Sequence, residues 1–182
     1  MNSIVTDLFP TSVITLDGSE HITQSDVDQM ISSINNTEVN LFADSYPNVF
    51  QKLQSSFHEA CNIYLMEVED FIHDAQAISI TGSRAIGSVI DSTHDSNIEW
   101  HNLSPALLCG IFYLKLVDCT SDGGTILNDM RHHAAASSTP SAIHPHERSW
   151  LIFPANMPHQ DQIPSGTGIK YIIKAECFVQ RK

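Results

Sequence analysis

A series of short apolar runs in the second half of the chain constrains the fold most. These runs are rich in Ile, Val, Tyr and Phe and cover residues 77–81, 85–90, 98–103, 107–117, 125–128, 149–153 and 170–179. Gly, Asp, Ser and Pro separate them, and no stretch with helical periodicity lies between them. Short strands that alternate with turn residues are typical of an antiparallel barrel or sandwich, here of about eight strands.

The first 75 residues supply a different element, a long amphipathic helix. Apolar residues recur at helical spacing from Val49 to Ile72, and the acidic residues of this segment lie mostly on the other side. Such a helix needs a flat apolar surface to pack on, and a sheet provides one. A strand over 4–16 and a short helix capped by Ser25 or Asp26 are predicted before it.

These patterns together predict an α+β fold in a single domain of 182 residues. An N-terminal strand and supporting helices over about 1–75 are expected to pack against a β-barrel over about 77–182. The stretch "RHHAAASSTPSAIHPHE" is predicted to form a long surface loop. Its irregularly spaced histidines are a weak pattern for adventitious zinc or nickel binding.

Composition and charge narrow the classes of partner. The net charge of −12, from 21 acidic against 9 basic residues, argues against a nucleic-acid partner and favours a small-molecule or basic peptide substrate. No run of 18 apolar residues is present, which argues against a membrane partner, and no secretory signal pattern is visible, which predicts a cytoplasmic location. The four cysteines have no CxxC spacing and are predicted to be free thiols. Oligomeric state is left open.

Two histidines at the ends of apolar strands suggest a divided metal site. On a strand over 98–103, the side chains of Glu99, His101 and Leu103 share one face, because residues two apart point the same way. His159 is predicted to lie in the loop that follows the strand over 149–153. A facial iron site takes two histidines and one carboxylate, with open positions for substrate and oxygen. Leu103 stands where the carboxylate is expected.

The motifs that surround these histidines resemble those of the iron(II)/2-oxoglutarate-dependent oxygenases. The resemblance rests on "LFPTSV", "ITGS", "LLCGIFYL", "GGTILNDMR", "WLIFPANMPHQ" and "GIKYIIKAECF", and it extends over nearly the whole chain. Within this superfamily, the sequence is similar to a small phage and bacterial group and to the prolyl-hydroxylase branch. The resemblance implies a double-stranded β-helix, or jelly roll, with iron(II) and 2-oxoglutarate as cofactors.

The resemblance also implies roles for individual residues. His101 and His159 match the two histidine ligands of the metal. Lys170 matches the basic residue that binds the far carboxylate of 2-oxoglutarate, and Tyr113 is a candidate hydrogen-bond partner for the same carboxylate.

Leu103 departs from the pattern, because its side chain cannot bind a metal. The third ligand position is then filled by Glu99, Asp95, Asp129, water or a halide, or else the site is inactive. The first interpretation is a dioxygenase that hydroxylates an unknown substrate, with halogenation as a minor alternative if a halide binds. A second interpretation is an inactive β-barrel that serves as a binding or assembly module. A third is a cupin-like ligand binder, which would not need Lys170.

Overall fold

The computed structural model describes residues 3–8, 11–34, 39–68, 78–93, 106–119, 123–128, 140–144 and 146–181. Within these residues the chain forms two helices and nine strands. The elements in order are β1 (Ser3–Leu8), β2 (Thr11–Asp17), α1 (Gln24–Ser33), α2 (Asn48–Glu67), β3 (Ile78–Asp91), β4 (Leu108–Val117), β5 (Thr125–Leu127), β6 (Ser141–Ile143), β7 (Ser149–Pro154), β8 (His159–Asp161) and β9 (Ile169–Arg181).

The strands form two antiparallel sheets. The larger has the order β1-β2-β7-β4-β9-β3, and the smaller has the order β6-β5-β8. Neither sheet closes on itself within the described residues, so the predicted barrel is observed as two separate sheets. The fold is mostly β with two helices, as the apolar runs predicted. Neither helix is long and apolar enough to cross a membrane, within the part of the chain that the structure describes.

The edge strand β3 differs from its prediction. The runs over 77–81 and 85–90 were predicted to be two strands, but they form one strand of 14 residues that pairs with β9 along its length. Gly82 and Ser83 have the character of turn residues. The chain passes them with a shift of register between Ile80 and Gly82, so that pairing continues on both sides.

The start of α1 and the end of α2 also differ from their predictions. Thr23, rather than Ser25 or Asp26, caps α1: the backbone N–H of Asp26 donates to the Thr23 hydroxyl, and Asp26 accepts from the Thr23 N–H in return. The helix α2 ends at Glu67, because Val68 has extended backbone angles. Val68 is nevertheless buried, so its apolar character predicted core packing correctly but not the end of the helix.

The helix α2 packs against one face of the larger sheet, as its amphipathic pattern predicted. Phe57 of α2 contacts Trp150 of β7 with ring centroids 5.0 Å apart, and Trp150 also contacts Phe112 of β4 at 4.8 Å. The indole N–H of Trp150 donates to the hydroxyl of Ser56 at 3.1 Å. The four cysteines are free thiols, as predicted.

Gly110 of β4 lies where α2 approaches the sheet most closely. A Cβ atom at this position would come within 2.5 Å of Phe57 Cε2 and 2.9 Å of Ile152 Cδ1. Because Phe57 and Ile152 are fully buried, neither can move away without disturbing the core. We therefore expect Gly110→Ala to lower the free energy of unfolding by about 1–3 kcal/mol, measured by urea denaturation.

Gly82 of β3 provides the matched control. It is also a strand glycine, but a Cβ atom added to it would have no atom of the described residues within 4 Å. Gly82→Ala should leave stability unchanged or raise it slightly, because alanine restricts the unfolded chain more than glycine does. Equal losses from the two substitutions would show that the contact with Phe57 is not the cause.

Candidate functional site

The second face of the larger sheet packs against the smaller sheet. A hydrophobic cluster joins Ile111 and Tyr113 of β4 and Phe153 of β7 to Leu127 of β5. These side chains are all fully buried or nearly so. The candidate residues His159 and Lys170 lie at this same layer, on β8 and β9.

His159 lies in a strand rather than in the predicted loop. It begins β8, opposite Leu127 of β5, and its side chain is fully buried. The prediction missed β8 because three residues are too few to show an alternating pattern, and Pro158 directly before it has the character of a loop residue. Within β8, His159 and Asp161 share the buried face, and Gln160 is less buried.

The ring of His159 contacts Met157 and Phe153. Its Nδ1 atom lies 3.1 Å from the carbonyl oxygen of Met157, and the ring of Phe153 packs edge-on with a centroid distance of 4.9 Å. A carbonyl oxygen can only accept a hydrogen bond, so Nδ1 of His159 carries the proton and donates it to the Met157 carbonyl. In the neutral imidazole the lone pair is then on Nε2, the form in which histidine binds a metal.

Asp161 is a buried carboxylate with three partners. Its Oδ2 atom lies 2.6 Å from Lys174 Nζ, and its Oδ1 atom accepts from the Thr125 hydroxyl at 3.0 Å. Lys170 Nζ lies farther away, at 3.7 Å from Oδ1. Burial alone would raise the pKa of Asp161, but Lys174 and Lys170 together hold this pKa well below its usual value. Asp161 is therefore ionised and forms a buried ion pair.

Lys170 is the second residue of β9, and its side chain is fully buried. Its ammonium group donates to two carbonyl oxygens, those of Gln162 at 2.9 Å and Gly124 at 3.2 Å. Burial lowers the pKa of Lys170, and the nearby Asp161 partly offsets that effect. The sequence predicted a strand at this position, and β9 confirms it.

Tyr113 joins the same network through Thr125. The phenol oxygen of Tyr113 and the Thr125 hydroxyl are 2.6 Å apart, and both side chains are buried. Thr125 donates to Asp161, so it accepts the proton of Tyr113. Burial raises the pKa of Tyr113, and the negative charge of Asp161 raises it further, so the phenol stays protonated.

Within the described residues, the buried network carries an excess of positive charge. Lys170 and Lys174 face a single described carboxylate, that of Asp161, which leaves one positive charge over. The next acidic residue on the inner face of β9 is Glu176, and it pairs with Arg84 of β3 in two contacts. Among the described residues, this network therefore has a charge that suits one further anion.

The other predicted site residues lie outside the described residues. These are His101, Glu99 and Leu103 of the predicted strand over 98–103, together with Asp95 and Asp129. Within the described residues alone, no group of three His, Cys, Asp or Glu side chains could hold a metal ion. The structure thus describes one of the two predicted histidine ligands, together with Lys170 and Tyr113.

Sequence reasoning missed Asp161, Lys174 and Thr125. The signals that would have found them are the two-residue spacing of His159 and Asp161 and the four-residue spacing of Lys170 and Lys174. Both spacings place side chains on one face of a strand. The spacing of His159 and Asp161 becomes informative only once β8 is known to be a strand, whereas that of Lys170 and Lys174 lies within a predicted strand.

Comparison with known proteins identifies the fold. No protein-family model matches the sequence, and no curated protein sequence is significantly similar to it. Solved structures match over most of the chain. A prolyl-4-hydroxylase from Pseudomonas putida superimposes with a TM-score of 0.58 at 10% identity, covering 94% of this chain and 87% of that one.

Two further structures give similar values. A prolyl hydroxylase from Trichoplax adhaerens, in complex with a hypoxia-inducible-factor peptide fragment, has a TM-score of 0.59 at 15% identity and covers 91% of this chain and 83% of its own. HygX from Streptomyces hygroscopicus, with nickel and 2-oxoglutarate bound, has a TM-score of 0.56 at 14% identity, with coverages of 92% and 82%. The chain therefore shares the fold of the prolyl hydroxylases and related 2-oxoglutarate oxygenases.

Proposed function

We propose that this protein is an iron(II)/2-oxoglutarate-dependent dioxygenase that hydroxylates a small-molecule or peptide substrate. The observation that carries the proposal is the buried network around Lys170, which, among the described residues, has one positive charge more than its carboxylate balances. The shared fold supports the same assignment. Fold alone does not determine function, so the charge of the site is the main support for this assignment.

The described residues suit the co-substrate at both of its ends. Lys170 would bind the far carboxylate of 2-oxoglutarate through a charge-assisted hydrogen bond. Asp161 contacts Lys170, and it lies one same-face step, about 7 Å, along β8 from His159. Asp161 thus links Lys170 to the strand that carries His159, and 2-oxoglutarate would bind with one end at Lys170 and the other toward His159.

His159 would bind the metal through Nε2, with the Met157 carbonyl and the Phe153 ring fixing its orientation. His101 is proposed as the second ligand. Bound iron and 2-oxoglutarate together supply the oxidising power for C–H hydroxylation by dioxygen. The contribution of the chain is to orient the co-substrate and to exclude water, which the apolar packing around Tyr113 and Phe153 favours.

The proposal is tested by calorimetric titration of protein loaded with nickel(II), the metal that HygX holds together with 2-oxoglutarate. We expect saturable 1:1 binding of 2-oxoglutarate and weaker binding of 2-oxopentanoate, which has the same chain length without the far carboxylate. His159→Ala should weaken metal binding. Failure of the wild-type protein to bind 2-oxoglutarate would contradict the proposal and favour the inactive binding module that Leu103 suggests.

Leu103 itself allows a gain-of-function prediction. If Leu103 occupies the position of the missing carboxylate, Leu103→Asp adds an anionic ligand to the two histidines. The affinity for nickel(II) should then rise by at least about tenfold, since even indirect partners of a metal site change affinity by that factor. An unchanged affinity would show that position 103 does not face the metal and that Glu99, Asp95 or Asp129 should be substituted next.

A further inference from the structure

Lys174 has no role in the function proposed above, yet it makes the shortest ionic contact of the buried network. Its ammonium group lies 2.6 Å from Asp161 Oδ2, against 3.7 Å between Lys170 and Oδ1. A distance of 3.7 Å is too long for a direct hydrogen bond. The two lysines are therefore not equivalent, and Asp161 pairs mainly with Lys174.

Both carboxylate oxygens of Asp161 have a closer partner than Lys170. Oδ2 is held by Lys174, and Oδ1 accepts from Thr125. Thr125 is in turn fixed by Tyr113. The carboxylate is thus held by its own partners on β5 and β9.

Lys170 has donor capacity left for an anion. An ammonium group has three N–H donors, and two of these go to the carbonyl oxygens of Gln162 and Gly124. These carbonyl groups orient the ammonium group but carry no negative charge, and Asp161, at 3.7 Å and paired more closely with Lys174, balances the charge of Lys170 only in part. A carboxylate that arrives near Lys170 therefore finds both a donor and a positive charge.

We propose that Lys174 is a positioning residue that neutralises Asp161 and thereby reserves Lys170 for a 2-oxo acid with a second carboxylate. This inference rests on the proposed function and deepens it. Without Lys174, Asp161 would be attracted to Lys170, because charges at this separation interact strongly in a buried setting. Asp161 would then repel an incoming carboxylate. It would also occupy the N–H donor of Lys170 that this carboxylate needs.

The test compares dissociation constants for 2-oxoglutarate and 2-oxopentanoate in nickel-loaded variants. Lys174→Met should raise the Kd for 2-oxoglutarate by at least about tenfold and leave the Kd for 2-oxopentanoate within about twofold. Lys174→Arg, which keeps the charge, should behave like the wild type. The double variant Asp161→Asn/Lys174→Met should recover the preference for 2-oxoglutarate, because it removes the competing carboxylate.

Each outcome separates the inference from the proposed function. Loss of affinity for both compounds by the same factor in Lys174→Met, or no loss at all, would overturn the role of Lys174 alone. A wild-type protein that binds neither compound, or both equally, would overturn the proposed function and the inference with it. If Lys174→Met is too unstable to measure, the double variant decides: binding of 2-oxoglutarate no tighter than of 2-oxopentanoate would show that Lys174 binds the carboxylate itself.

Discussion

Lys170→Met is expected to weaken 2-oxoglutarate binding by about 10- to 150-fold. A hydrogen bond to a charged group contributes about 1.5–3 kcal/mol, and each 1.4 kcal/mol corresponds to a factor of ten. Methionine has a similar length and can fill the space of the lysine stem without a charge. The measurement is the Kd for 2-oxoglutarate in nickel-loaded protein, with 2-oxopentanoate as the comparison compound.

The substitution is not expected to unfold the protein. Asp161 keeps Lys174 and Thr125 as partners, and the Gly124 carbonyl still accepts from the Gln162 N–H at 2.9 Å. Lys52→Met is the control, because Lys52 is an exposed lysine of α2 that pairs with Asp26. A Kd for 2-oxoglutarate that stays unchanged in Lys170→Met would remove Lys170 from the co-substrate site.

Asp161→Asn is expected to have the largest effect on stability. It leaves Lys170 and Lys174 in the buried network without their shared carboxylate. Removing one partner of a buried ion pair costs about 3–5 kcal/mol, because the remaining charge is no longer compensated. We expect a loss of this size in the free energy of unfolding, measured by urea denaturation.

The double variant Asp161→Asn/Lys174→Met controls for this interpretation. It removes both charges of the close pair, and the replacement of a whole buried pair by neutral groups is often tolerated. Most of the lost stability should therefore return. A loss below about 1 kcal/mol in Asp161→Asn alone would show that water compensates the lysines and that the network is not effectively buried.

The sequence predicted the long helix and the long strands, in which the spacing of apolar residues extends over many positions. The strands β4 and β9 contain 10 and 13 residues, and α2 contains 20, so their periodicity was visible. The strands β6 and β8 contain three residues each and were assigned to loops. These short strands form because each pairs with β5, which has β6 on one side and β8 on the other. The sequence of a three-residue strand does not show this pairing.

The same limit applies to the candidate site. His159 and Lys170 were found through motifs that resemble the oxygenases, and the structure brings both to the layer between the two sheets. Asp161 was not found, because an aspartate in a predicted loop is ordinarily a solvated residue. Its importance depends on Thr125 and Lys174, which are 36 and 13 residues away in the chain and contact it only through the fold.

The most direct test of the proposed function is an anaerobic titration with iron(II) and 2-oxoglutarate, followed by visible absorption. We expect a weak charge-transfer band that appears only when both are present and that His159→Ala abolishes. In Lys170→Met, the band should require a higher concentration of 2-oxoglutarate. Absence of the band in the wild-type protein at millimolar 2-oxoglutarate, or a band of undiminished intensity in His159→Ala, would contradict the account.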